Sequence, residues 1–162
     1  MTAQHSSSSE TADIEQAVAG LYAEVLGYWN ARNASGFAAC FASQGSMVGF
    51  DGTAMNGVSD ITAHLQQVFT HHQTAAYVGK VREVRRLGSD VALLRAVAGM
   101  VPPGQTRLNP AVNTVHGLIA AREDARWRIE LLQSTPAAYH GRPEASAALT
   151  AELQEAFDEV PR

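Results

Sequence analysis

The segment Val112–Pro136, VNTVHGLIAAREDARWRIELLQSTP, decides the fold. It reads as two strands joined by a short polar turn. Side chains alternate across a strand, so parity assigns each residue to a face. With Asp124-Ala125 as the hairpin loop, Glu123 pairs with Arg126 and Ala121 with Arg128. One face then carries Arg122, Ala120, Leu118, His116 and Thr114 opposite Trp127, Ile129, Leu131, Gln133 and Thr135. A largely apolar surface holding one imidazole opposite one carboxamide has the make-up of a ligand-binding concavity. Register controls this pairing. A loop one residue longer or shorter would set His116 on a face with Leu132 and Ser134 instead.

Upstream, three further strands are legible. Ser46 to Phe50 is short and apolar, and Asp51-Gly52 turns the chain after it. Tyr77 to Leu87 and Val91 to Val101 flank Gly88-Ser89, a good two-residue hairpin turn. That turn would put Tyr77 opposite Met100, both suited to line an apolar pocket. It would also put Arg82 opposite Arg95, an unfavourable like-charge pair without a counter-anion. Pro102-Pro103-Gly104 closes the second of these strands.

Helices come first in the chain. From Ala12 to Arg32, the residues Ile14, Val18, Leu21, Val25, Leu26 and Trp29 recur at helical spacing. Ala34 to Ala42 forms a short helix with Phe37 and Phe41 four residues apart. Ser59 or Asp60 caps a third helix running to Thr70, with Ile61, Leu65, Val68 and Phe69 inward. Glu144 to Glu159 is an amphipathic C-terminal helix with Leu149, Leu153, Ala156 and Phe157 on its apolar side. Residues 1–11 are Ser-rich and polar and read as a disordered tail. Helices followed by a run of antiparallel strands signal an α+β fold, with helices packed on one face of a curved sheet.

The 162 residues suffice for one domain with its own core. A hydrophobic share of 46% is ordinary for a soluble globule, and the net charge of −4 argues against a nucleic-acid binder. No apolar run approaches the roughly 20 residues that span a bilayer. The opening MTAQHSSSSE lacks the basic and apolar regions of a secretory signal. Cys40 is the single cysteine, so no internal disulfide can form, and a cytoplasmic location is expected.

The order of elements resembles the nuclear transport factor two-like superfamily, also called the SnoaL-like fold. The matching residues are Tyr28-Trp29-Asn30, Phe37 through Phe41, Gly57 leading into Ile61, His64 and Phe69, and the closing strand Arg126-Trp127-Arg128-Ile129 with Gln133-Ser134-Thr135-Pro136. The resemblance covers residues 12–140, with 141–162 as a C-terminal extension. It implies a cone-shaped α+β barrel: a strongly bent antiparallel or mixed sheet wrapped around N-terminal helices, with a pocket inside. It also implies a homodimer, since the superfamily commonly pairs sheets. Three segments are similar to a narrower branch: Met47 through Gly52 with Met55-Asn56-Gly57, Arg95 through Gly104, and Leu108 through Asn113. With Tyr139 through Pro143 they resemble the SgcJ/EcaC-type small protein of enediyne polyketide clusters. That resemblance implies a role in maturing an enediyne core, acting on a hydrophobic polyene or polyketide intermediate, with the enediyne polyketide synthase as a possible partner.

Within such a cone, His116 is the candidate general acid or base, because imidazole titrates near neutral pH. Gln133 would fix a carbonyl or orient the ring, with Tyr28 an alternative aid. A buried His–Gln pair satisfying each other is the plainer reading. Asp51 would supply a carboxylate of the ketosteroid-isomerase kind, with Tyr22, Tyr28 or Tyr77 as its phenol, although Asp-Gly is also a standard turn dipeptide. Tyr28, Trp29, His64, Tyr77, Met100, Leu118 and Leu131 complete the expected lining. His71 and His72 end the third helix, where a cation meets the helix dipole favourably. No His-x-x-x-His or Cys-x-x-Cys spacing occurs, so no metal is expected. No Gly-x-Gly-x-x-Gly lies between a strand and a helix, so no dinucleotide cofactor is expected either. Three functions follow: a cyclase, isomerase or lyase working without a cofactor; a carrier of a polyene; or a scaffold of the synthase.

Overall fold

The computed structural model describes the backbone of residues 2–161 and the side chains of residues 8–161. The elements are α1 (Thr2–Asn30), α2 (Ala34–Ala39), β1 (Phe41–Val48), β2 (Ala54–Asn56), α3 (Val58–His71), β3 (Ala76–Arg86), β4 (Val91–Val101), β5 (Thr114–Glu123), β6 (Arg126–Pro136) and α4 (Pro143–Glu159). A single turn of 3-10 helix, Pro110–Val112, precedes β5. Residues 2–11, expected as a disordered tail, continue α1 as helix. The short helix ends at Ala39, not Ala42, and Phe41 opens β1. The three-residue β2 was not legible at all.

The six strands form one curved sheet in the order β2-β1-β6-β5-β4-β3. β1 lies parallel to β6, and the remaining neighbours are antiparallel. The helical stripe of α1, with Ile14, Val18, Leu21, Tyr22, Val25 and Leu26 all buried, packs onto the inner face of this sheet. Ile61, Leu65 and Phe69 of α3 join the same core. The α4 stripe, with Leu149 and Leu153, packs instead on the outer face against Val78, Val97 and Val101. An ion pair secures α4 to the sheet. Both Arg82 guanidinium NH groups donate to the Glu152 carboxylate, at 2.5 and 2.7 Å.

The β5–β6 hairpin turns at Asp124-Ala125 as expected, with both residues at positive φ, 50° and 66°. Such a turn matches the right-handed twist of its strands. Glu123↔Arg126, Ala121↔Arg128 and Ala120↔Ile129 pair as the sequence indicates. Glu130 is then an extra residue: Ile119 pairs with Leu131, Gly117 with Gln133, and His116 with Ser134. A bulge of this kind bends its strand. It also overturns the expected opposition of His116 and Gln133, and it moves Leu131 off the inner face.

Two departures in the β3–β4 hairpin cancel. The turn holds three residues, with Leu87 N–H donating to Val91 O at 2.9 Å. Arg82 is a bulge, so Tyr77 still lies opposite Met100. The like-charge pair does not form. Glu83 takes the place opposite Arg95 and bonds it at 2.6 Å, while Arg82 reaches Glu152.

Candidate active site

His116 stands in the middle of β5 with Ala96 of β4 on one side and Ser134 of β6 on the other. Its ring points to the inner face and is 2% exposed. Tyr22 reaches it from α1, its hydroxyl 2.8 Å from Nδ1. Tyr77 packs edge-on to the imidazole from β3, with ring centroids 5.5 Å apart, and the Tyr22 ring lies at 5.7 Å. Three aromatic side chains from three elements thus meet in an interior otherwise built of Leu26, Leu94, Ala96, Leu118 and Leu132.

Burial sets the electrostatics of this cluster. Removing an imidazolium from water is costly, so the folded protein lowers the His116 pKa from 6.5 to about 4. The same desolvation pushes the Tyr77 phenol up to about 12. It raises Tyr22 further still, with the neighbouring Tyr77 adding to the effect. At neutral pH all three groups are uncharged. A cluster of this type binds or polarises a polar group of a ligand more readily than it extracts a proton.

Trp29 extends the cluster toward the end of α1, packing on Tyr77 at 5.4 Å and donating its indole N–H to Ala75 O at 2.9 Å. Met100, opposite Tyr77, is half-buried. Leu118 is fully buried two residues from His116. Tyr28 is half-buried over Gly36, where a Cβ would come within 2.4 Å of its ring. So the structure gathers His116, Tyr77, Met100, Trp29 and Leu118 on the inner side.

It separates the others. Gln133 is exposed on the outer face. Leu131 is half-buried on that same face, paired with Ile119. His64 is exposed on α3. Asp51 is exposed on the turn after β1, where Oδ1 accepts the Thr53 N–H at 2.9 Å. That bond holds its carboxyl below the ordinary range. Asp51 therefore plays the turn role and supplies no carboxylate to the cone. Sequence reasoning offered Tyr22 only as a phenol for Asp51; the structure makes it the partner of His116 instead. The signal for Tyr22 was its position four residues after Val18 and four before Leu26, inside the buried stripe of α1.

A large hollow lies outside the cone. It opens on the outer side, between α4 and residues 107–110 and 138–143, with a volume of about 1110 Å³. Leu108, Tyr139, Thr150 and Gln154 line it, and the Arg142 guanidinium lies 5.2 Å from the centre of the Tyr139 ring. His116 lines neither this hollow nor the smaller ones on the surface; its own surroundings are the buried side chains of the inner face. Among the described residues no group of three or more His, Cys, Asp or Glu side chains is placed to hold a metal ion, and no helix is long and apolar enough to cross a membrane.

No protein-family model matches the chain, and no curated protein does. Solved structures do. A domain of unknown function with a cystatin-like fold from Nostoc punctiforme is 27% identical, with a TM-score of 0.73, over 89% of this chain and 91% of that one. A candidate scytalone dehydratase from Novosphingobium aromaticivorans is 11% identical, with a TM-score of 0.68, over 83% of this chain and 93% of that one. An NTF2-like protein of unknown function from Shewanella oneidensis is 14% identical, with a TM-score of 0.60, over 74% and 97%. With helices α1 to α3 in the concavity of a bent six-stranded mixed sheet, the chain has the NTF2-like, cystatin-like fold.

Proposed function

We propose that this chain is a protein of enediyne or related polyketide biosynthesis that acts on a hydrophobic polyene or polyketide intermediate as a cyclase, isomerase or lyase, with His116 as its reacting side chain. The observation that carries this reading is the Tyr22–His116 hydrogen bond, 2.8 Å long and buried in an apolar interior. Burying an imidazole is costly, and a Leu or Phe would fill the space without that cost. Strongly perturbed titratable groups concentrate at functional sites. The enediyne-branch resemblance of residues 47–57 and 95–113 supports the substrate class. That the same fold hosts a candidate dehydratase supports lyase-type chemistry. Tyr77 and Met100 would turn aside to admit the ligand, with Trp29 beside them. A homodimer is part of this proposal.

The test is product formation in a strain making the enediyne polyene, with the gene replaced by His116→Phe or His116→Gln. Loss of product from a folded variant is expected. Undiminished product with either variant refutes the catalytic reading.

A second reading is favoured by the 1110 Å³ hollow at α4: a carrier that holds the polyene there without converting it. Its volume is about that of a drug-sized ligand site. Ala151→Trp would obstruct this hollow. If that variant abolishes co-purification of the polyene, detected by mass spectrometry, and the His116 variants do not, the carrier reading replaces the enzyme.

A further inference from the structure

We infer that Tyr22 fixes His116 in the tautomer that carries its proton on Nε2, and that the site therefore recognises an apolar carbonyl compound through its oxygen. This rests on the reading that the cone interior is the functional site.

The argument begins with hydrogen inventory. A neutral imidazole has one N–H and one acceptor nitrogen, and the bond made by one nitrogen decides the role of the other. The Tyr22 phenol is 2% exposed and keeps its proton, because burial raises its pKa. Among the described residues the one acceptor within reach of that proton is His116 Nδ1. Tyr22 thus donates to Nδ1, and the imidazole proton resides on Nε2.

Packing holds Tyr22 in this position. Gly79 of β3 lies directly under its hydroxyl: a Cβ at Gly79 would be 2.8 Å from the Tyr22 oxygen and 2.6 Å from Leu26 Cδ1. A glycine at this strand position lets the phenol lie close against the sheet and reach across to β5.

The donor that results is open. Among the described residues no hydrogen bond reaches His116 Nε2, and none reaches the Tyr77 hydroxyl. Asn113 Oδ1 is the one fully sealed side-chain oxygen or nitrogen without a partner among the described residues. Nε2 and the Tyr77 oxygen therefore each retain a small opening. Two neutral donors sit on rings 5.5 Å apart. The titratable groups facing His116 are Tyr22 from α1 and Tyr77 from β3; β4 contributes Ala96, β5 Leu118 and β6 Ser134. No carboxylate is in this set.

Neutral donors without an accompanying base or cation select an acceptor oxygen over a carboxylate or phosphate. They strengthen their bonds as negative charge builds on that oxygen, which is how a ketone or aldehyde is polarised toward its enolate. The apolar walls select a hydrocarbon body. Together these requirements describe a ketone or aldehyde on a hydrocarbon body. His116 works here as a donor, and Tyr22 is a positioning residue that acts through it.

The test uses uniformly ¹⁵N-labelled protein and long-range ¹H–¹⁵N correlation spectra of the imidazole at pH 7. The expected pattern shows a protonated Nε2 and a bare Nδ1 for His116, and a tautomer mixture in Tyr22→Phe. A protonated Nδ1 in the wild type overturns the inference whatever else is found. In a second arm, 4-(dimethylamino)benzylideneacetone is titrated in; this conjugated ketone absorbs further to the red when its oxygen accepts hydrogen bonds. Binding with a red shift is expected, with affinity falling about tenfold in His116→Phe and the shift lost, one hydrogen bond being worth about that factor. His116→Gln, which keeps a donor, is expected to retain part of the shift. No binding, or an equal red shift in His116→Phe, overturns the carbonyl assignment. Product formation that survives His116→Phe, alongside the expected spectra and red shift, refutes the biosynthetic reading alone and leaves this inference standing.

Discussion

Acidification tests the buried imidazole most directly. Folded His116 accepts a proton only near pH 4, whereas an exposed imidazole does so near 6.5. Between these values the unfolded chain binds more protons than the folded one, so lowering the pH favours unfolding. The stability linked to His116 is fully present above about pH 6.5 and is lost progressively down to pH 4. One pKa unit corresponds to about 1.4 kcal/mol, so the shift is worth about 3 kcal/mol in full and roughly 2 kcal/mol between pH 7 and 4.5. Glu152 and Asp51 carry depressed pKa values, so their stabilisation is present above the ordinary carboxylate range and fades as the pH falls through it, overlapping only the lower end of this window. Urea unfolding at pH 7 and at pH 4.5, followed by the fluorescence of Trp29 and Trp127, measures the loss. The same pair of measurements on His116→Gln subtracts every other titrating group. The wild type is expected to lose roughly 2 kcal/mol more than the variant. Parallel losses in the two proteins would show that His116 is solvated in the folded state, and the account of the cone interior would fail with it.

Other perturbations separate the elements of the design. Tyr22→Phe leaves a buried nitrogen without its donor and is expected to lower stability by about 1–3 kcal/mol, read from the urea midpoint at unchanged slope. Gly79→Ala drives a methyl into Tyr22 and Leu26 and should cost about 1–3 kcal/mol, while Gly117→Ala, with nothing within 4 Å of the added carbon, should stay within about 0.5 kcal/mol. Leu132→Ala removes a side chain that is 2% exposed and should cost about 2–5 kcal/mol, whereas half-buried Leu131→Ala should cost no more than about 1 kcal/mol. A strand without the Glu130 bulge would reverse that last order, so thermal melts of the two variants decide the register. Glu152→Gln should loosen α4 by no more than about 1 kcal/mol, because the ion pair it removes is largely solvent-exposed.

The fold was legible because its signals are local and redundant. The buried stripe of α1 repeats at helical spacing through six residues, and Asp124-Ala125 announces its hairpin from between two β-rich runs. Elements fixed by periodicity and turn chemistry therefore came through, most with boundaries a few residues off, although α1 begins at Thr2 where Ala12 was expected and β1 at Phe41 where Ser46 was expected. β2 did not, since three residues carry no period, and its formation depends on the long-range partner β1.

The site was legible only in part, and the reason is the bulge. The stretch Ile129-Glu130-Leu131-Leu132-Gln133-Ser134 offers an apolar residue at both parities, so hydrophobic alternation accepts either register. One extra residue in β6 then exchanges Gln133 for Ser134 beside His116 without leaving any trace in the pattern. In β3 the Arg82 bulge and the longer turn offset each other, so Tyr77 and Met100 met as expected although both premises behind that expectation were off by one. Tyr22 exposes the deeper limit. It is separated from His116 by 94 positions, and nothing along the chain relates them. Their meeting depends on how far the sheet bends around α1, and that bend is set where ladders carry unpaired residues, at Arg82 and Glu130 among them. The features that hide the chemistry from the sequence are thus the ones that assemble it: without them a flatter sheet would hold His116 away from α1, and the imidazole would have no partner to choose its tautomer.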